Sequence, residues 1–104
     1  MTTDPSPIVI LALGCNVDAP VNMPRLQAAL AARFPSIRFT RQLVTAAIGI
    51  EAAPFANCLA WMESDLDYAT LHAVTKEIEQ LLGSTREDRR KGRVIADADI
   101  LCCG

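Results

Sequence analysis

The sequence RVIADADIL, residues 93–101, reads as a β-strand that carries two carboxylates, Asp97 and Asp99. Because side chains alternate between faces along a strand, both aspartates must point to the same side of the sheet. Two carboxylates side by side repel each other, and a cation between them offsets that repulsion. Hard oxygen ligands of this kind suit Mg²⁺ held together with substrate phosphates. An Asp-x-Asp pair is equally typical of a solvated strand end, so the motif alone leaves both interpretations open.

A basic run precedes this strand and contains half of the ten basic residues of the chain, namely Arg86, Arg89, Arg90, Lys91 and Arg93. Metal-binding acids next to phosphate-binding bases indicate nucleotide chemistry. Glu87 and Asp88 interrupt the run, so a solvated loop is the alternative. Upstream, Glu79 reads as an ordinary helix charge or as an ion-pair partner of the basic loop.

Length and composition predict a single domain over residues 1–104, with residues 1–7 as a loose arm. The chain is 51% hydrophobic, which is enough to bury a core. Its net charge of −2 argues against general nucleic-acid binding. No run approaches the roughly 18 apolar residues of a membrane span, and no signal peptide is recognised. We therefore expect a cytoplasmic protein that binds neither membranes nor nucleic acid.

Outward from the final strand, the apolar periodicity predicts the element order βαββαβ. The other strands are predicted at 8–13, from Ile37 through Phe39 to Leu43, and at 56–63. Asn22 is expected to cap the first helix and Pro35 to stop it, while the second helix begins at Asp67 and ends at Gly83. This order predicts an α+β, ferredoxin-like fold, in which a four-stranded antiparallel sheet has two helices on one face.

Four short blocks occur in order along the chain: ALGCN at 12–16, VTAAIG at 44–49, PFAN at 54–57, and a stretch from Ile78-Glu79 through Gly83 and Arg86 to DADIL at 97–101. Together they resemble the 6-hydroxymethyl-7,8-dihydropterin pyrophosphokinase family of folate biosynthesis. The resemblance covers nearly the whole chain, and the family's fold is ferredoxin-like. It implies transfer of diphosphate from the co-substrate ATP to the hydroxymethyl group of the pterin, with release of AMP.

The resemblance also assigns roles to residues. It implies that Asp97 and Asp99 hold two Mg²⁺ ions and that Arg86 contacts the nucleotide. In the same loop we expect Arg93 to act as a substitute catalytic arginine and Lys91 to contact ATP. The resemblance further implies four residues of the pterin pocket. Phe55 stacks on the ring, Asn57 hydrogen-bonds the amide edge of the ring, and Thr45 and Ile48 line the same pocket.

The chain departs from the family pattern where the phosphates bind. Ser84 and Val94 stand where the family has arginines, so Arg93 is the neighbour expected to replace the second one. Lys91 stands where a tryptophan is common, and Ala46 where a proline is. Family members continue past the position of Gly104, and we expect the histidine, arginine and second aromatic residue of that segment to be missing from this site.

Two alternatives to an active enzyme follow from these departures. A catalytically degenerate homologue would bind a pterin without turning it over. An interaction module would form a homodimer through the exposed face of the sheet, a face expected to carry Cys58, Ala60 and Met62. RNA binding is disfavoured because the third predicted strand lacks the stacking aromatic residues that such sheets use.

Overall fold

The computed structural model describes residues 7–45 and 54–103, which form an antiparallel sheet with helices packed against it. In chain order the elements are β1 Ile8–Cys15, α1 Ala19–Arg33, β2 Arg38–Phe39, β3 Leu43–Thr45, β4 Phe55–Glu63, α2 Tyr68–Leu81, α3 Arg86–Arg90 and β5 Asp97–Cys102. The predicted α+β class and antiparallel sheet are confirmed. The predicted count of four strands and two helices is wrong, because the described residues form five strands and three helices. None of these helices is long and apolar enough to cross a membrane.

The extra strand arises because the predicted second strand is interrupted. The sheet order is β2-β4-β1-β5, and β3 also pairs with β4. Phe39 pairs with Ala60, and Leu43 pairs with Asn57. The chain therefore advances four residues from β2 to β3 where β4 advances three, which leaves one extra residue at the break. At this break the Thr40 hydroxyl accepts the Leu59 N–H at 3.0 Å. A side chain thus replaces a bond of the ladder, which is a bulge-like device.

One face of the sheet is buried against the helices. Along β1 and β4 the buried side chains alternate, and they are Val9, Leu11, Leu13, Cys15, Ala56, Cys58, Ala60 and Met62. They share one core with Met23, Leu26 and Leu30 of α1 and with Leu71 and Ile78 of α2. The prediction that Cys58, Ala60 and Met62 lie on the exposed face is wrong, because all three belong to this core.

The opposite side of the sheet is called the open face below. It carries the alternate residues of β1, β4 and β5, namely Ile10, Ala12, Gly14, Asn57, Leu59, Trp61, Asp97 and Asp99. Leu59 and Trp61 are 44% and 39% exposed, respectively. Of the predicted site residues, Asn57, Asp97 and Asp99 therefore lie on one face of the sheet.

Of the two predicted helices, α2 forms as expected and α1 begins earlier. The Asp67 carboxylate accepts the Thr70 N–H at 2.8 Å at the start of α2, and Gly83, with φ +98°, follows its end. The prediction that Asn22 caps α1 is wrong. The Asp18 carbonyl already accepts the Asn22 N–H at 2.9 Å, so Asn22 lies inside the helix and its side chain donates back to the Val17 carbonyl at 2.6 Å.

The segment before β5 is tied to the end of β1, which delays the start of the strand to Asp97. Asn16 donates its N–H to the Val94 carbonyl at 2.8 Å, and its side chain bonds the Gly92 carbonyl and the Val94 N–H, both at 2.7 Å. The predicted basic loop contains α3, whose N-cap Thr85 accepts the Asp88 N–H at 3.0 Å. This Thr-x-x-acid spacing was the available signal for a helix start.

Candidate active site on the open face

The register of β4, β1 and β5 arranges the candidate residues in two rows across the open face. Gly14 pairs with Asn57 on one side and with Asp97 on the other. In the next row Ala12 pairs with Leu59 and with Asp99. Because neighbouring strands lie about 4.8 Å apart, the two outer strands of each row are roughly 10 Å apart. The small residues of β1 therefore form a shallow floor between a β4 side and a β5 side.

On the β4 side, Asn57 and Phe55 lie next to Gly14. A Cβ atom added to Gly14 would lie 3.5 Å from Asn57 Oδ1 and 3.7 Å from Phe55 Cδ1. Asn57 Nδ2 also donates a long hydrogen bond of 3.4 Å to the Phe55 carbonyl. The backbone of Thr45 pairs with Phe55 at the end of β3, so three of the four predicted pterin residues share one end of the sheet. The fourth, Ile48, lies outside the described residues, as does Ala46.

A pocket of about 350 Å³ opens beside this cluster, where the chain between Thr40 and Leu43 adjoins the open face. Its lining is mostly apolar and includes Ala12, Leu43 and Leu59. Asn57, Thr40 and Arg41 supply its polar groups. An apolar cavity with a few placed polar groups is typical of sites for small ring-bearing ligands.

On the β5 side, Asp97 and Asp99 form the predicted carboxylate pair. Asp99 is exposed, but partial desolvation, a hydrogen bond with Asp97 and the Asp97 charge together raise its pKa. Within 7–45 and 54–103, no group of three or more histidine, cysteine or acidic side chains could hold a metal ion. Two carboxylates nevertheless fit Mg²⁺, which commonly takes one or two from the protein and its other ligands from water and substrate phosphates.

The β5 side also contains an ion-pair network. At its centre is Glu79, a buried residue that is only 4% exposed. Glu79 Oε1 accepts Arg89 Nη2 at 2.7 Å and Lys76 Nζ at 3.1 Å, and Oε2 accepts the Ala98 N–H at 2.9 Å. Arg89 Nη1 donates to Asp97 Oδ1 at 2.9 Å. The expectation that Glu79 pairs with the basic loop is confirmed.

The sequence did not single out Arg89 within the basic run. One signal was available, because Glu79 follows Thr75 by four residues and Leu71 by eight, which places an acid on the buried stripe of α2. A buried carboxylate requires a cationic partner. The spacing of the basic residues does not show which of them is the cationic partner of Glu79.

The other bases assigned to phosphate lie in the same loop. Arg93 Nε lies 3.5 Å from Asp88, and Lys91 Nζ lies 3.4 Å from Glu87, with these two basic side chains 57% and 65% exposed. Arg86 lines a pocket of about 240 Å³ together with Lys76, Thr85 and Arg89. Ser84 lines it too, and its buried Oγ has no hydrogen-bond partner among the described residues.

An apolar pocket and a carboxylate pair with nearby cations are the components that phosphoryl-transfer sites use. The sequence model of the family described as 7,8-dihydro-6-hydroxymethylpterin-pyrophosphokinase matches residues 10–104. The chain belongs to this family, so the resemblance seen in the sequence is confirmed. The family places the chain among folate-pathway pyrophosphokinases, transferases that use ATP and Mg²⁺. A search of curated proteins gave no significant match.

Proposed function

We propose that this chain transfers diphosphate from ATP to 6-hydroxymethyl-7,8-dihydropterin in the presence of Mg²⁺. The observation that carries the proposal is the strand register, in which Gly14 separates Asn57 from Asp97 and Ala12 separates Leu59 from Asp99. In this proposal the β4 side would bind the ring and the β5 side would bind the phosphates, and the two sides are roughly 10 Å apart on one face. A bicyclic ring held at β4 would thereby direct its hydroxymethyl arm towards β5.

The β4 side supplies groups suited to a pterin. The Asn57 side-chain amide offers both a donor and an acceptor, which matches the amide edge of the ring. Phe55 offers an aromatic face for stacking. Thr45, at the end of β3, would complete the pocket together with Ile48. The mostly apolar lining would exclude water from the remainder of the ring.

The β5 side supplies the phosphate chemistry. Asp97 and Asp99 would hold two Mg²⁺ ions, whose charge would neutralise the ATP phosphates. Arg86 lies in the adjoining pocket with Lys76 and would contact the nucleotide. Arg93 and Lys91 would leave their acidic partners to reach the phosphates, at a small cost because exposed ion pairs contribute only about 0–1 kcal/mol.

The proposed reaction is a single displacement. The pterin hydroxyl releases its proton to water, and its oxygen bonds the β-phosphorus of ATP. The bond from that phosphorus to the oxygen shared with the α-phosphate breaks, and AMP leaves with that oxygen. This chain's contribution is to orient the hydroxyl and to hold the phosphate charge in place.

Phosphorus NMR of the folded protein with ATP and Mg²⁺ tests the proposal, because AMP and the pterin diphosphate give separate signals. We expect AMP to form only when 6-hydroxymethyl-7,8-dihydropterin is present. Omitting the pterin and omitting Mg²⁺ are the two controls. AMP that forms without pterin, or no AMP with all components present, contradicts the proposal.

A second candidate is a catalytically degenerate homologue that binds the pterin. It is supported by Ser84 and Val94 at arginine positions of the family pattern and by the pairing of Arg93 and Lys91 with acids of their own loop. Fluorescence titration with the pterin separates the two candidates. Saturable binding without AMP favours the second candidate, and absence of binding excludes both.

A homodimer through the open face belongs to this second proposal. Ile8 at the sheet end is 45% exposed, and Leu59 and Trp61 add apolar surface on the face itself. Because the same face carries the carboxylate pair, such a dimer would cover the site. Sedimentation velocity over a range of protein concentrations would detect it, and a monomer throughout that range argues against it.

A further inference from the structure

The Arg89 guanidinium donates a hydrogen bond to a carboxylate oxygen of Asp97, one of the two proposed metal ligands. Arg89 Nη1 donates to Asp97 Oδ1 at 2.9 Å, while Nη2 donates to Glu79 Oε1 at 2.7 Å and to the Ala96 carbonyl at 3.0 Å. Three acceptors from α2, β5 and the segment before β5 thus hold one side chain. A guanidinium stays protonated at every pH at which the protein folds.

This arginine is unlike the other bases of its loop, because its release would be costly. The Glu79 side chain is 5% exposed, and Arg89 is one of two cations that neutralise it. The second, Lys76, is a more exposed partner at 3.1 Å. Removing one partner from a buried charge is far more destabilising than breaking an exposed ion pair. Arg89 therefore stays beside Asp97 when a ligand arrives.

The charge around the pair is already largely balanced. Among residues 7–45 and 54–103, three carboxylates, those of Glu79, Asp97 and Asp99, face two cations, Lys76 and Arg89. A single negative charge is left for a divalent ion, and the nearby guanidinium repels that ion. One oxygen of Asp97 is also engaged as an acceptor, which leaves fewer lone pairs for metal coordination.

We propose that Arg89 is a positioning residue that fixes the Asp97 carboxylate and weakens the affinity of the Asp97–Asp99 pair for a free divalent cation. The inference rests on the proposed function only in taking this pair as the metal site. The charge missing for tight metal binding is then supplied by the substrate phosphates. A merely structural Arg89 would affect stability and leave the affinity for the metal unchanged.

A titration with Mn²⁺ tests the proposal without ATP, pterin or turnover. The binding of the ion is measured from its electron paramagnetic resonance signal. We expect Arg89→Met to bind Mn²⁺ about tenfold more tightly than the wild type, because a repelling charge a few ångströms away is removed. Arg90→Met is the matched control, since it removes the same charge from an exposed neighbour in α3 and should change the affinity less than about twofold.

Two further variants make the titration decisive. Asp99→Asn should abolish the Mn²⁺ binding, and binding that survives it places the ion elsewhere and overturns the proposal. If Arg89→Met fails to fold, Glu79→Gln and the double variant Glu79→Gln/Arg89→Met replace it, because the buried carboxylate is then neutral. The double variant should bind Mn²⁺ about tenfold more tightly than Glu79→Gln alone.

An Arg89→Met protein that binds Mn²⁺ no more tightly than Arg90→Met, including no binding by either, overturns the proposal. So do equal affinities of Glu79→Gln and the double variant. The enzymatic proposal fails on a different observation, the absence of pterin-dependent AMP. A chain that releases no AMP can still show the Arg89 effect on Mn²⁺, so the two failures are distinguishable.

Discussion

The two sides of the open face are built differently. On the β4 side, the register sets the uncharged residues Asn57 and Leu59 against the small residues Gly14 and Ala12. On the β5 side, Asp97 and its neighbours are engaged in an ion-pair network with Glu79 and Arg89. One side is thus organised by the backbone and the other by charges that neutralise one another.

This difference shows that the number of basic residues overstates how many are available to a phosphate. Of the five bases between positions 86 and 93, Arg89, Lys91 and Arg93 pair with nearby acids. A phosphate bound on the β5 side would have to exchange or overcome these ion pairs, whereas the register on the β4 side involves none of them.

The largest expected effect is on activity, from Asp99→Asn. We expect it to reduce pterin-dependent AMP formation by about 100-fold or more, because metal stabilisation of the transition-state charge is worth several kcal/mol. Asp65→Asn is the matched control, since Asp65 is exposed and follows Glu63, whose partner Ile8 lies at the opposite end of β1 from Gly14. Equal rates for the two variants would show that the β5 side does not hold the reacting phosphates.

The next effect is on stability, from Glu79→Gln. We expect the free energy of unfolding to fall by about 2–3 kcal/mol, because the buried carboxylate is the shared acceptor of Arg89, Lys76 and the Ala98 N–H. Urea denaturation measures the change. Glu77→Gln in the same helix is the control, because its pair with Arg33 is long and exposed, and it should cost less than about 1 kcal/mol. Similar losses would mean that the network adds little to stability.

The third prediction separates binding from stability on the β4 side. Gly14→Ala should leave stability nearly unchanged, because the new Cβ meets Asn57 Oδ1 at 3.5 Å, an ordinary contact. It should weaken pterin binding about tenfold, or by ~1.4 kcal/mol, because the methyl group occupies the floor beneath the ring.

Gly83→Ala is the converse control for that prediction. With φ +98° it should lower stability by about 1–2 kcal/mol and leave pterin affinity unchanged. Fluorescence titration and thermal unfolding read the two quantities separately. If Gly14→Ala binds the pterin as tightly as the wild type does, the ring does not lie over Gly14.

The same contrast explains what could be predicted from the sequence. The strand β4 and the helix α2 follow from local periodicity and from Asp67 and Gly83 at the helix ends, and both form as expected. The fold class follows from their order. The break between β2 and β3 depends on one extra residue opposite β4, which no local pattern reveals.

The sequence predicts individual residues of the candidate site, but not how they are arranged relative to one another. That Asp97 and Asp99 share a face follows from strand alternation alone. That Gly14 lies between Asn57 and Asp97 is a long-range fact of register, set by strands that are distant in the chain. The choice of Arg89 over its neighbours as the partner of Glu79 depends on how α3 and the segment before β5 pack, since Asn16 holds that segment in place.

The smallest expected effect is the pH dependence of the unliganded carboxylate pair. Partial desolvation and the neighbouring Asp97 raise the pKa of Asp99 in the folded protein above its ordinary value of 3.8. Between these two pKa values the folded protein retains a proton that the unfolded chain has released. The stability contributed by this group is therefore fully present below pH 3.8 and is lost as the pH rises through the folded pKa.

Asp99→Asn removes the titrating carboxyl group and therefore removes this pH-dependent loss of stability. Without divalent ions, we expect the variant to be slightly more stable than the wild type near neutral pH, and the difference to vanish as the pH falls below 3.8. Urea denaturation across this range measures it, with Asp65→Asn as the control that should show no such trend. Added Mg²⁺ should reverse the order, because only the wild type keeps both carboxylates for the ion. A variant that is less stable than the wild type at neutral pH without Mg²⁺ would show that the hydrogen bonds of Asp99 outweigh the repulsion from Asp97.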